Sequence, residues 1–319
     1  PACIAETSLT MTDVTVAKTP EKSKNTMGRF NVWDTPWFNI RLISGAIILI
    51  LILLVGVIGP LFYDTDKASP RSGPPRQAPV GFENARGQAG TMENPLGTDN
   101  LGRDILALMI VGAPNTFLIG VIAATIGIGV GIMLGFMAGF LGGWVDDVIR
   151  LASDVTLTIP ALLVLIVLQS VLSRIDITTM ALLIALFAWP RATRQIRSQV
   201  MSMRRSGYVR MARISGASTF DIMFKEMLPN LIPYLFASFI AGATGAILAA
   251  VGLETLGLGP QRAPTLGSTI FDAIEFGALS LNMWWWWGVP TLLLSFMFIG
   301  LLLINLGLDE VANPRLRKA

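Results

Sequence analysis

The side chains that could do chemistry in this 319-residue chain are arginines and acids, because it has no histidine and a single cysteine, Cys3. Composition therefore excludes His-dependent acid–base catalysis and a Ser-His-Asp triad. It also excludes an intrachain disulfide and a Cys/His metal site. No catalytic residue, metal ligand or cofactor is expected in the chain itself. The charges gather in two places. Arg191, Arg194, Arg197, Arg204, Arg205, Arg210 and Arg213 crowd one polar segment, and Asp99, Arg103 and Asp104 sit in another. A guanidinium forks onto carboxylate or phosphate oxygens, so the first cluster suits lipid phosphates or an acidic protein surface rather than bond-making.

The elements that must hold these clusters are apolar. The chain is 53% hydrophobic and 14% charged, with mean hydropathy +0.62, where a soluble domain carries about 25% charged residues. Several apolar runs match the roughly 20 helical residues needed to cross a hydrocarbon core, and they are continuous rather than alternating as in a membrane β-barrel. The expected fold is an all-α, polytopic membrane helix bundle with about six spans: 41–62, 115–141, 152–173, a short 178–190 stopped by Trp189-Pro190, 231–253 and 288–308. The domain scheme is a flexible cytoplasmic tail over 1–40, a transmembrane domain over 41–308 and a cytoplasmic tail over 309–319. Outer loops fall at 63–114 and 254–287, and a cytoplasmic loop at 191–230. No cleaved leader is expected, since the first apolar run starts late and is long enough to span.

Placing the N-terminus inside puts 17 of the 24 Lys and Arg residues on the inner side, as the positive-inside rule requires. Both termini and the 191–230 loop are then cytoplasmic. The spans 115–141, 231–253 and 288–308 hold no ionisable residue. Ionisable groups at membrane depth mark ion paths and proton relays, so energy for uphill transport is expected from another subunit. A membrane enzyme would need convergent polar groups at depth, and a selective pore a charged ring or filter loop; the sequence offers neither.

Gly127, Gly131, Gly135 and Gly139 recur every four residues, a ridge that lets helix backbones approach closely. It serves either packing within the chain or a subunit interface, as does the ridge Ala237, Ala241, Gly245 and Ala249. The Gly127-x-Gly129-x-Gly131 run is not a nucleotide loop, for no strand precedes it and no Lys-Ser/Thr follows.

Within the basic loop the order of residues predicts two short helices. The first ends near Ser215, with Gly216 in the left-handed position. Ser218 with Asp221 resembles a capping box for the second, and Pro229 stops it or kinks the chain. Such a hinged pair suits docking, whereas a merely solvated basic loop would account for the arginines but not for this order of stops and starts. On the outer side, Asp99, Arg103 and Asp104 form either a polar gate or a local cap, with Asp99 starting a helix at Leu101. Trp284, Trp285, Trp286 and Trp287 read as an interfacial girdle. They are also the candidates for a substrate pathway, because aromatic rings stack on sugar faces, and four consecutive positions cannot share one helical face.

The basic loop resembles the coupling loop of ABC-importer permeases. That family carries Glu-Ala-Ala, three residues, Gly, nine residues, then Ile-x-Leu-Pro. Here Arg210-Met211-Ala212 is followed by Gly216 and by Glu226-Met227-Leu228-Pro229 at the same spacing. The Gly and Leu-Pro match; the opening Glu-Ala and the Ile do not. Pro95-Leu96-Gly97-Thr98-Asp99-Asn100-Leu101-Gly102-Arg103-Asp104, the Gly257-Leu258-Gly259 segment with Gln261, Pro264 and Gly267, and the ending Asn313-Pro314-Arg315 are similar to the dipeptide/oligopeptide/nickel type. The resemblance covers about 40–317.

It implies a permease subunit in the inner (plasma) membrane, forming half of the pathway for an oligopeptide or oligosaccharide, or for nickel or another small solute. Its partners would be a second related permease, two cytoplasmic ATPases that bind ATP and Mg, an extracytoplasmic solute-binding protein and the bilayer, with no nucleic acid. Gly207, Tyr208, Arg210, Ala212, Gly216, Ala217, Leu228 and Pro229 would couple to the ATPase. Gly97, Thr98, Asp99, Gly102, Arg103 and Asp104 would form the outer-loop motif. The Trp run and the tail look more like an oligosaccharide-carrying branch. This chain should hydrolyse no ATP, since it has no Gly-x-x-x-x-Gly-Lys-Ser/Thr sequence. A channel or scaffold subunit is the remaining alternative.

Overall fold

Apolar helices dominate the computed structural model, which describes residues 39–172 and 175–312. Of the expected tails, residues 1–38 and 313–319, with the Asn313-Pro314-Arg315 ending, lie outside the described residues, and residues 309–312 continue the last helix. In order come α1 (Ile40–Phe62), α2 (Ile105–Leu141), α3 (Gly143–Thr158), α4 (Ala161–Val171) and α5 (Ile177–Arg204). They are followed by α6 (Gly207–Ile214), α7 (Thr219–Asp221), α8 (Leu228–Glu254), α9 (Leu266–Glu275) and α10 (Trp284–Ala312). The fold is an all-α membrane bundle.

Among the described residues four helical segments are long and apolar enough to span, namely α1, α2, Thr219–Glu254 and α10, and the bent pair α3–α4 makes up to five. The expected fourth span, 178–190, lies in α5, which is apolar only over its first half before Arg191 begins the basic run.

Proline explains most differences from the sequence-based boundaries. Pro190 does not end a span: α5 continues through it to Arg204. Proline removes one backbone donor and crowds one carbonyl, and packing against α2 on both sides of it outweighs that local cost. Pro114 likewise lies inside α2, which starts at Ile105 rather than 115, and packs where Gly56 of α1 leaves room. Pro160 does break its helix. Ile159 before it is extended, as pre-proline residues prefer, and the pair α3–α4 bends by 73°. The helix entering the expected third span therefore begins at Gly143 rather than at 152, and the bent pair forms either a broken span or a re-entrant loop. Pro229 neither stops nor sharply kinks its helix. Residues Ile222–Met227 run as π-helix between α7 and α8, with the Leu228 N–H reaching back to Met223 O, and this wider turn absorbs the missing proline donor.

The α2–α5 interface resolves the first glycine ridge in favour of packing within the chain. A Cβ on Gly127 would lie 2.5 Å from Ala188 Cβ, one on Gly131 2.4 Å from Ala192 Cβ, and ones on Gly135 and Gly139 2.9 Å from Ile196 and from Arg197 O. Gly245 of the second ridge faces open space, so that position packs against nothing in the chain's described residues.

The core forms three successive clusters. One end holds Trp285, Trp286, Ile105, Leu108 and Leu266. The middle holds Ile119, Met180, Ala246 and Leu253. The basic end holds Phe136, Phe140, Ile196, Val209, Ile222 and Met227. At the basic end, Arg41 and Glu310 pair at 2.5 Å, so the start of α1 and the end of α10 lie on one side.

Candidate functional site

At the basic end, α6 is fastened to the bundle chiefly by Val209, with Ala212 packed beside it. Val209 is fully buried in the cluster of Phe136, Phe140, Ile196 and Met227. Gly207, Tyr208 and Arg210 around it are exposed, and Ala212 is half-buried. The helix ends as its sequence predicts. Gly216 has φ +80°, its N–H donates to Arg213 O at 3.2 Å, and the Ala217 N–H donates to Ala212 O at 3.1 Å. This is the Schellman arrangement, which satisfies carbonyls that would otherwise be orphaned.

The next helix starts at Ser218, whose Oγ accepts from Asp221 N at 3.1 Å and donates to Asp221 Oδ2 at 2.6 Å. Asp221 in turn pairs with Lys225 at 2.5 Å. A stop, a two-residue hinge and a start thus follow within one turn of chain. Leu228, half-buried, and Pro229, exposed, lie just beyond the π-helical turn.

The hinge presents an apolar surface that sequence reasoning missed. Met211 (65% exposed), Ile214 (81%), Phe220 (71%) and Phe224 (58%) all face outward, and the two Phe rings stack with centroids 6.5 Å apart. Arg210 and Arg213 are exposed alongside. Clustered exposed apolar side chains with a charged rim mark interaction sites. The signal was available: 211 and 214, and 220 and 224, are three and four apart, hence on common helical faces.

At the opposite end, the 97–104 motif is a structural knot. Asp99 is fully buried; its Oδ1 accepts from Leu101 N and Arg103 N, each at 2.8 Å, and Oδ2 pairs with Arg103. Arg103 reaches on to Asp272 of α9 at 2.6 Å. Asp99 therefore closes a turn but caps no helix. The N-cap is Asp104, accepting from Ala107 N at 2.8 Å, and α2 begins at Ile105 instead of Leu101. Burial pushes the Asp104 carboxyl above the usual carboxylate range, against the lowering effect of donors from Ala107 and Tyr63. Burial and the neighbouring Asp104 together push the Tyr63 hydroxyl up.

Thr98 binds Pro74 O and Gln77 N through its hydroxyl, and its carbonyl accepts from Trp285 Nε1 at 3.1 Å. Gly97 and Gly102 have φ of +80° and +75°, and a Cβ at Gly102 would meet Gly73 O at 2.3 Å.

The tryptophan run divides by helix face. Trp285 and Trp286 are buried, Trp286 stacking on Phe276 at 6.2 Å. Trp284 and Trp287 remain partly exposed, Trp284 edge-on to Phe82. Only those two present a ring outside the protein core.

Glu254 closes α8 and belongs to none of the sequence motifs. It is fully buried and faces the first turn of α9, which starts with a capping box between Thr265 and Ser268. The helix N-terminus supplies a favourable field for the carboxylate, and backbone N–H groups of Gly267 and Ser268 stand before it, although no contact has full hydrogen-bond geometry. A Cβ on Gly267 would lie 2.0 Å from Glu254 Oε2. Gly267→Ala is expected to destabilise the folded chain by about 1–3 kcal/mol, the scale of overpacking, visible as a lower melting temperature in detergent. An unchanged melting temperature would show that Glu254 has room to move.

Residues 131–318 match the family described as "Binding-protein-dependent transport system inner membrane component". The chain is 33% identical over 221 residues to the oligopeptide transport system permease protein OppC of Lactococcus lactis subsp. lactis (strain IL1403), covering 69% of this chain and 75% of that one. It is 30% identical to the di/tripeptide transport system permease protein DppC of Pseudomonas aeruginosa (strain UCBPP-PA14), covering 70% and 73%. It is 26% identical over 279 residues to OppC of Bacillus subtilis (strain 168), covering 86% and 85%.

Proposed function

Given that the chain belongs to the family of binding-protein-dependent transport system inner membrane components, we propose that it is one permease subunit of an ATP-driven importer of short peptides. It would work in the inner membrane with a second related permease, two ATPases and an external solute-binding protein. The observation that carries the coupling role is the knob at the basic end, where Met211, Ile214, Phe220 and Phe224 stand exposed on helices joined at Gly216. The arginines around it support a cytoplasmic position under the positive-inside rule, and the Arg41–Glu310 pair supports the same side for the start of α1 and the end of α10.

In this reading ATP-driven closure of the ATPase pair pushes on α6 and α7. Val209, Ile222 and Met227 pass the displacement to Phe136, Phe140 and Ile196 of α2 and α5, because all belong to one packed cluster and packed interiors transmit strain. The bundle then opens outward to receive substrate. Peptide is favoured over oligosaccharide by the relatives, which are oligopeptide and di/tripeptide permeases. The sugar reading rests on the Trp run and the tail; two of the four rings are buried, and the tail beyond residue 312 lies outside the described residues.

The test is gentle detergent purification from the native membrane with identification of every co-purifying protein. Two ATPases, a second permease and a peptide-binding protein are the expected company; a chain that purifies without an ATPase overturns the reading and returns the channel or scaffold alternative. Burying a Phe is worth about 1.5–3 kcal/mol. The Phe220→Ser/Phe224→Ser pair is therefore expected to reduce ATPase retention at least roughly tenfold while leaving membrane levels unchanged, since neither ring supports the chain's own core.

A further inference from the structure

Between α3 and α5, at the basic end of the bundle, lies a polar cavity of about 250 Å³ that the coupling role does not use. Arg150, Ser153 and Asp154 line one wall, and Thr193, Arg194 and Arg197 the other. Its arginines are unevenly held. Arg197 is matched by Asp146, which takes two guanidinium nitrogens, one at 2.6 Å. Arg150 and Arg194 share the single carboxylate of Asp154, Arg194 in contact and Arg150 at 3.7 Å. Among the described residues neither arginine pairs with another acid. Asp147, one turn before Arg150 on α3, evens the charges of the cluster, yet the two guanidinium groups, with five N–H donors each, keep most of those donors free. Both are well over half exposed, so the cavity opens outward.

The surroundings are amphipathic. On α3, Leu157 is seven residues beyond Arg150; on α5, Leu186 is seven before Thr193. Seven residues is nearly two helical turns, so each leucine continues the face that lines the cavity, further into the apolar part of the bundle. Both leucines are exposed. The arginines themselves stand just past the apolar stretch of α5, where a headgroup layer would lie. An arginine-lined cavity with free donors at that depth, continued by exposed leucines, matches a molecule with an anionic head and hydrocarbon chains.

We propose that this cavity binds the phosphate of an anionic phospholipid, with Arg150 and Arg194 on the phosphate and Leu157 and Leu186 against the chains. The same donors would accept free phosphate, so the test separates the two. The full chain, with the subunits that accompany it in detergent, is titrated with dihexanoyl phosphatidylglycerol, dihexanoyl phosphatidylcholine and inorganic phosphate, following the melting temperature and lipid adducts by native mass spectrometry.

Phosphatidylglycerol should give saturable stabilisation and a retained adduct, and the other two should not. Arg150→Gln/Arg194→Gln should weaken phosphatidylglycerol binding at least roughly tenfold, the scale of a lost charged hydrogen bond. Asp154→Asn removes the competing carboxylate and should tighten it. An equal response to inorganic phosphate would overturn the lipid assignment, as would wild-type affinity in the double arginine variant. Should that variant fail to fold, Asp154→Asn decides: unchanged or weaker affinity sinks the proposal.

Discussion

Gly216→Val is expected to cut peptide uptake by the assembled transporter at least roughly tenfold while the subunit reaches the membrane at its normal level. Gly216 sits at φ +80°, where a Cβ-bearing residue pays about 1–2 kcal/mol and a β-branched one is an outlier. No atom lies within 4 Å of the position a Cβ would take, so the damage is conformational and not a clash. The cheapest relief is to let φ turn negative, which breaks the bonds to Arg213 O and Ala212 O and swings α6 relative to α7. Strain of that size alone shifts a two-state population about 5–30-fold. Gly216→Asn is the matched control, because Asn tolerates the left-handed region, and it should keep most of the uptake. If valine and asparagine transport equally well with normal assembly, the hinge is not part of coupling.

Gly131→Leu should fail earlier, in folding. A Cβ there already lies 2.4 Å from Ala192 Cβ and 3.1 Å from backbone atoms of Ala192 and Thr193, so the leucine has no rotamer that avoids α5. Forcing side chains into a packed interface costs about 1–3 kcal/mol and more when backbone must move. Because α2 and α5 also frame the cluster under α6, the loss spreads to the knob. The expected result is a sharp fall in membrane-inserted, protease-resistant protein, and no monodisperse peak in detergent. Gly129→Ala tests the same helix two residues away, where a Cβ meets nothing within 4 Å; there the gain in helix propensity, up to about 1 kcal/mol, should leave stability equal or higher. Comparable damage from both substitutions would show that the ridge does not act through α5.

The hinge was readable in the sequence because its signals are local. Gly216 and the Ser218–Asp221 cap act within one or two turns of chain, and each is where the spacing placed it. The prolines were not readable with the same rules. Pro114, Pro190, Pro229 and Pro233 lie inside helices and Pro160 breaks one. The local cost is similar each time, and what differs is the packing available to offset it. The apolar surface of Met211, Ile214, Phe220 and Phe224 went unseen for a related reason. In a chain rich in apolar residues, composition does not tell an exposed phenylalanine from a buried one.

Composition and spacing alone gave away the class of this protein: an all-α membrane bundle with a basic hinged segment at one end and the motifs of a permease family. Those properties follow from composition, charge placement and local spacing, which act along the chain. The tertiary structure decided what each motif is for inside the molecule. It assigned the first glycine ridge to α5, made the 97–104 motif a tie between α2, α9 and α10, and buried Trp285 and Trp286 while leaving Trp284 and Trp287 partly exposed. It also set Glu254 against α9 and left Arg150 and Arg194 sharing one carboxylate. Each of these depends on which helices touch, a property of residues far apart in the chain that no local pattern encodes.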